Sequence, residues 1–306
     1  MQGEDNAPNI VQSCLNRWRE LNPKYSIEVY CLRDIQQCLV DVGGIQSVMT
    51  VQAKSDIFRL WLLRRYGGIW VDATTMPALP LDHWLPRVSK TGFFAFRGHL
   101  SPLEIDSYFL ASAQGHPLVS HWWDETRRYW NRPRKKMYMN SWLENYSPGI
   151  QESIVRGESD VHPYYWVMHL FKRVLATEQG MQDVWSAVPR IDGGLCHSLQ
   201  LGLVKGSNGS LVDLIRIASS SSPLELAPLG QDELKAIARM APIQKLARRL
   251  SELPVDWDGL FRDIHGGRHY TKREAIYSAL RWLFRSTQPV SSPGERQGLR
   301  PRSPQE

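Results

Sequence analysis

The chain has 306 residues, 42% hydrophobic and 22% charged, enough to build a large core in one large domain or one and a half. Lys and Arg number 37 against 31 Asp and Glu, a net charge of +6 that suits an anionic partner such as a nucleotide diphosphate, an acidic glycan or an anionic lipid surface. The positive charge is spread along the chain without a recognition-helix, RNP or zinc-finger pattern, so nucleic acid is not an expected partner.

In chain order, Pro8 opens an amphipathic helix. Ile10, Val11, Cys14, Leu15, Trp18 and Leu21 recur in it at helical spacing until Asn22-Pro23. Residues 26–32 alternate apolar and polar side chains and read as a half-buried strand, which suggests an α/β layer architecture. A second helix covers Val51–Tyr66, with Ile57, Leu60, Trp61 and Leu63 on one side, and stops at Gly67-Gly68, residues suited to a left-handed cap. A strand at 69–71 follows at once. Residues 92–97 and 107–111 read as strands and Pro117–Trp130 as a helix.

From Gln151 the pattern is mainly helical, most clearly at 162–177 and 232–250. The stretch 202–228 reads as a loop region with one short strand at 211–217. A basic amphipathic helix at 272–285 could lie on an anionic membrane, although such helices more often cover their own core. The Pro-, Ser- and Arg-rich residues from Thr287 onward read as a disordered tail. The expected organisation is a domain over 1–250, a helical extension over 251–286 and a tail over 287–306.

Cys14, Cys31, Cys38 and Cys196 form no CxxC pair and have no His partner at metal spacing, so reduced thiols are expected. No apolar run of about 18 residues occurs, and the N-terminal MQGEDNAPN lacks the basic-then-apolar order of a signal peptide. A cytoplasmic location follows as an expectation, with peripheral contact at the inner face of the plasma membrane through the 272–285 helix. P-loop, HExxH, GxSxG and GxGxxG patterns are absent.

The chemistry concentrates between Ser55 and Thr74. Asp56 and Arg59 lie three apart on one helix face, and Asp72 emerges just beyond the strand that the glycine turn feeds, where α/β sheets bind ligands. On spacing alone a structural reading is equally good: Asp56 favours the helix N-terminus, Arg59 pairs with it and Asp72 starts a turn. Lys245 could act as a point charge on a diphosphate, or be a solvated helical lysine. Among twelve tryptophans, Trp70 and the Trp122-Trp123 pair are the candidates for sugar stacking.

The run SDIFRLWLLRRYGGIWVDATTMP resembles the signature of the capsular polysaccharide synthesis protein family, a relative of the sugar transferases that carry a DXD motif. The match comprises SD, an Arg three residues after the Asp, LL, YGG, an aromatic and DAT. Weaker similarity extends over about residues 5 to 250, through SYFLASAQGHPLVSHWWDETRRYW, YYWVMHLF and APIQKLARRL.

The resemblance implies a GT-A fold with a Rossmann-like nucleotide-sugar domain and a mainly helical C-terminal part. It further implies transfer of a sugar from a nucleotide-diphosphate donor to a surface glycan or lipid-linked acceptor, with retention as the better guess. Carried over by position, Asp56 and Arg59 hold donor hydroxyls, and Asp72 is the catalytic first aspartate of the metal and sugar motif. Thr74 stands where broader relatives place a second aspartate, and a Mn2+ or Mg2+ ion at Asp72 would neutralise the leaving diphosphate. Such proteins ordinarily begin with an Ile-rich strand before the segment in which this chain starts, so Met1 is expected to be an internal start. The rivals are a non-catalytic glycan- or nucleotide-binding protein with a degenerate transferase fold, and a basic membrane-surface scaffold.

Overall fold

A computed structural model describes residues 4, 6–31, 33–100, 103–136, 148–207, 210, 213, 214, 217, 223–227 and 231–265. The first amphipathic pattern folds as α1 (Asn9–Leu21), burying Ile10, Cys14, Leu15 and Trp18. A short α2 (Gln36–Asp41) precedes α3 (Val51–Tyr66), which starts where the Thr50 hydroxyl accepts the Ala53 N–H at 3.1 Å. Arg64 and Arg65 sit in its last turn, where the helix dipole favours cations. It ends at Gly67 with φ 70° and ψ −155°, a glycine conformation but not the left-handed cap expected, because the chain turns directly into a strand.

That strand is β1 (Gly68–Val71), followed by β2 (Thr75–Pro77), α4 (Leu85–Val88), β3 (Phe93–Ala95) and β4 (Phe109–Ser112). Next come α5 (Pro117–Trp130), β5 (Lys135–Lys136), α6 (Pro148–Arg156) and β6 (Val161–His162). Then follow α7 (Trp166–Thr177), α8 (Met181–Ser186), α9 (Ser198–Leu203), α10 (Gln231–Ala238), β7 (Ile243–Lys245) and α11 (Trp257–His265).

A three-stranded sheet in the order β1-β4-β3 is antiparallel throughout, with Gly68 opposite Ser112 and Val71 opposite Phe109. Strands β2 and β7 form a separate antiparallel pair, with Thr75 opposite Lys245. Among the described residues, parallel pairing is confined to the β5–β6 pair and the Arg97–Asp192 bridge. The chain is a mixed α/β protein with small sheets, and the parallel layer of a Rossmann-like domain is not among these pairings.

Several expected elements change. Residues 26–31 form no ladder; Ile27 and Tyr30 lie half-buried against the core, Tyr30 edge-on to Phe58, whereas Val29 is exposed, so the alternation in sequence is not an alternation in burial. The helix expected at 162–177 begins only at Trp166, after β6. The helix expected at 232–250 is broken: it stops at Ala238, Pro242 cannot continue it, and the next three residues are β7. Of the strand expected at 211–217, the described residues Asp213, Leu214 and Ile217 are helical. The 272–285 helix and the tail lie outside the described residues.

The main core is aromatic. Trp122, Trp130, Trp166, Trp185 and Phe93 are fully buried within it, and α3, α5 and α7 pack along it. Trp122 and Trp123 are therefore core residues rather than sugar platforms, and the Trp122 indole donates to the Val167 carbonyl at 2.8 Å. A second cluster joins Ile10 and Cys14 of α1 to Met76, Leu250, Trp257 and Phe261, so residues past 250 share a core with α1. Among the described residues no helix is long and apolar enough to cross a membrane.

Candidate functional site

Three local features bring distant charges together. Helix α3 carries Asp56 and Arg59 on one buried face, β1 delivers Asp72 at its end, and the β2–β7 pairing brings Lys245 to the same place across 173 residues. The turn after β1 is held by the Asp72 N–H on the Tyr108 carbonyl (2.9 Å) and the Thr75 N–H on the Asp72 carbonyl (2.9 Å). The Leu246 N–H donates to the Thr74 carbonyl at 2.9 Å, extending the β7 contact to Thr74.

Arg59 is the hub. Its Nη2 lies 2.9 Å from Asp56 Oδ1 and 3.2 Å from Asp72 Oδ1, and its Nη1 donates to the Ser107 carbonyl at 2.5 Å. The Trp70 indole N–H donates to Asp72 Oδ1 at 3.0 Å, and the Arg59 guanidinium lies 5.2 Å from the Trp70 ring centroid. On the other side, Lys245 Nζ lies 3.1 Å from Asp72 Oδ2 and donates to Thr74 Oγ1 at 2.9 Å. All five expected site residues, Asp56, Arg59, Asp72, Thr74 and Lys245, thus meet, and the lysine is a strand residue held at the cluster rather than a solvated helical one.

Burial separates the two carboxylates. Arg59 and Asp56 are inside, whereas the side chains of Asp72 and Lys245 keep 24% and 21% exposure, so the cluster opens to solvent at that pair. Burial pushes the Asp56 carboxyl up to about 7, and Asp72 adds to the push while Arg59 opposes it. The Trp166 indole lies close enough to favour the ionised form, but its Nε1 completes no hydrogen bond. Burial also raises Asp72, but Lys245 and Arg59, with hydrogen bonds from Trp70 and Lys245, outweigh it and hold that carboxyl at about 2.

Asp72 is therefore a carboxylate at neutral pH, and Asp56 shares a proton with solvent there. With Asp56 protonated, two cations face a single anion, an arrangement with room for a further negative charge.

Opposite pH signatures follow from the two shifts. Asp72, lowered in the fold, contributes stability that is present above about pH 4 and lost as pH falls towards 2. Asp56, raised in the fold, contributes stability that is present below about pH 4 and declines as pH rises towards 7. Asp56→Asn is expected to flatten the decline between pH 5 and 7.5, measured as urea midpoints. An unchanged pH trend in the variant would show that Asp56 does not titrate there.

The resemblance implies a divalent ion at Asp72 and Thr74, and the donors can be compared with that need. Asp72 Oδ2 and Thr74 Oγ1 both face Lys245 Nζ, and Asp72 Oδ1 faces Arg59 and Trp70. The oxygens that would ligate the ion are taken up by an ammonium and a guanidinium. An ion at Asp72 does not fit this arrangement unless Lys245 leaves.

A cleft of about 340 Å3 lined by residues including Asp41, Trp61, Arg64, Arg65 and Trp123 shares no residue with the charged cluster. Sequence reasoning missed Tyr108 and Trp166, which fix the turn and flank Asp56. It also missed a buried group, His99, Asp106 and His197, beside Tyr108. Only the fold brings these residues together, since nothing in their spacing marks them.

A Saccharomyces cerevisiae protein provisionally named glycosyltransferase HOC1 is 22% identical over 138 residues, covering 38% of this chain and 35% of the yeast protein. The chain thus spans about a third of the length of that curated relative. No solved structure matches. Residues 1–140, which hold Asp56, Arg59, Asp72 and Thr74, match the family model described as capsular polysaccharide synthesis protein.

Proposed function

We propose that the protein is a glycosyltransferase with a GT-A-type nucleotide-sugar domain. It moves a sugar from a nucleotide-diphosphate donor to a surface glycan of capsular or lipopolysaccharide type, or to its lipid-linked precursor, at the inner face of the plasma membrane. The observation that carries this reading is the partly exposed pair of Lys245 and Asp72, backed by Arg59, of which Asp72 and Arg59 lie in the segment that matches the family model.

The chemistry needs charge placed in two positions. Departure of the nucleotide leaves negative charge on the diphosphate, and the anomeric carbon becomes cationic as the bond breaks. The Lys245 ammonium, standing where a DXD metal would otherwise be ligated, swings from Asp72 Oδ2 to the phosphate oxygens, while Asp72, kept ionised, faces the developing sugar cation. Asp56 and Arg59 bind donor hydroxyls, and the fixed guanidinium positions both carboxylates. In this reading turnover does not require a divalent cation at Asp72, and transfer proceeds with retention.

The test is hydrolysis or transfer across a panel of nucleotide sugars, with and without a chelator. Lys245→Met is expected to lower turnover by about a hundredfold, as loss of a charge contact made in the transition state does. Activity near that of the unaltered protein would remove Lys245 from the diphosphate site. A second reading, a non-catalytic nucleotide-sugar-binding protein, is favoured by Thr74, whose neutral hydroxyl replaces a carboxylate. Binding of a donor without any turnover would establish it.

A further inference from the structure

A second constellation lies against the turn that carries Asp72. His99 and Asp106 belong to the connection between β3 and β4, and His197 ends the Gly193–His197 turn that leads into α9. One ligand atom from each of the three lies within 4.8 Å of the others. His99 Nδ1 and Asp106 Oδ1 are in direct contact, and the two imidazole rings are 4.5 Å apart at a tilt of 39°. The group is secluded: Asp106 is fully buried and His197 is 6% exposed.

Two polar atoms in this group complete no hydrogen bond. His197 Nε2 is buried with no hydrogen bond, and Asp106 Oδ2 completes none either, although the Tyr108 hydroxyl, which donates to the Gly193 carbonyl at 3.2 Å, lies close enough to interact with that carboxylate. A buried polar atom without a partner is costly, so two within one cluster of possible ligand atoms point to a ligand between them. Asp106 Oδ2 packs directly on the Gly193 backbone, where a Cβ would stand 1.9 Å from it, so the turn that carries His197 accepts only glycine at this position.

His197 is also held as a ligating imidazole is held. Its Nδ1 lies 2.5 Å from the Gln200 amide nitrogen, and Gln200 Oε1 has no partner. Half a turn of that amide puts Oε1 on an Nδ1–H and leaves the Nε2 lone pair facing the pocket, the outer-shell carbonyl that metal-bound histidines use.

We propose that His99, Asp106 and His197 bind one transition-metal ion of the Zn2+ class, separate from the Asp72 cluster. Two imidazole nitrogens and one carboxylate oxygen suit Zn2+ or a first-row neighbour, whereas Mg2+ and Ca2+ take oxygen donors. Ligands at about 2.1 Å from one tetrahedral ion stand roughly 3.4 Å apart, so binding draws the more distant of these atoms together and parts His99 Nδ1 from Asp106 Oδ1. The proton shared by His99 and Asp106 is released to solvent as the ion replaces it. Bound there, the ion ties the β3–β4 connection to the turn before α9 and so braces Tyr108, whose carbonyl holds the Asp72 N–H. The site stands whether or not the protein transfers sugar.

The full chain without an affinity tag is titrated with Zn2+, desalted, and assayed for metal by mass spectrometry. One equivalent is expected, with a rise in thermal midpoint, and Co2+ in its place should give the visible absorption of a low-coordinate site. Asp106→Asn and His197→Gln are expected to weaken binding about a hundredfold, and Gln200→Leu, which leaves all three ligands in place, about tenfold. Asp72→Asn should keep the ion. A chain that takes up no Zn2+ and shows no thermal shift would overturn the proposal and leave a hydrogen-bonded polar cluster. Retention of the ion by Asp106→Asn together with its loss in Asp72→Asn would place it at Asp72 and overturn the proposal equally.

Discussion

Replacing Asp72 by Asn is expected to lower turnover by about a hundredfold or more with little change in fold. The two side chains have nearly the same shape, so the oxygen that accepts from Trp70 can remain. What changes is charge: Arg59 and Lys245 lose the anion between them, and the amide NH2 turns a donor towards the Lys245 ammonium. If Asp72 meets the sugar cation only as the donor bond breaks, kcat and kcat/KM fall together while donor affinity holds. Donor hydrolysis followed under saturating and limiting substrate separates these effects. A rise in KM at unchanged kcat would show that Asp72 only binds the donor.

The largest effect on stability is expected at Gly67. The YGG turn puts this residue at φ 70° and ψ −155°, a region that costs a side chain about 1–3 kcal/mol. A Cβ there would also stand 2.6 Å from the Gln114 nitrogen and 2.9 Å from the Ser112 carbonyl oxygen, both backbone atoms at the end of β4. Neither can yield without shifting the strand that pairs with β1, so Gly67→Ala is expected to cost about 3 kcal/mol or more. Gly68, at φ 95° with nothing within 4 Å of its added Cβ, carries the strain alone and provides the control. Urea unfolding of the two variants should give clearly unequal losses, with Gly67→Ala the worse. Equal losses would show that the close approach to β4 does not matter.

How much of this was legible in the sequence depended on how far each signal reaches. Helix α3, the glycine turn and β1 are encoded within twenty residues by a cap, a periodic face and a pair of glycines, and the structure keeps their order. Helix α5 begins and ends where Pro117 and Trp130 mark it. Strand β7 was hidden because its partner β2 lies far away in sequence, and three residues after Pro242 show no helix-or-strand periodicity of their own. That single pairing turns Lys245 from a surface lysine into the partner of Asp72.

The Trp122-Trp123 pair misled for the opposite reason. Its aromatic character is visible in the sequence, but its burial beneath α7 is a property of packing. His99, Asp106 and His197 carried no signal at all, since their juxtaposition needs a loop and a turn about ninety residues apart to dock.

Whether the Asp72 and Lys245 pair receives the diphosphate of a sugar donor is tested most directly by locating a bound nucleoside diphosphate in a crystal of the full chain. The expected result is phosphate oxygens within hydrogen-bond distance of Lys245 Nζ, with Asp72 turned towards the position of the sugar. A diphosphate seated instead in the cleft lined by Trp61, Arg64 and Arg65, with the ion pair intact, would contradict it.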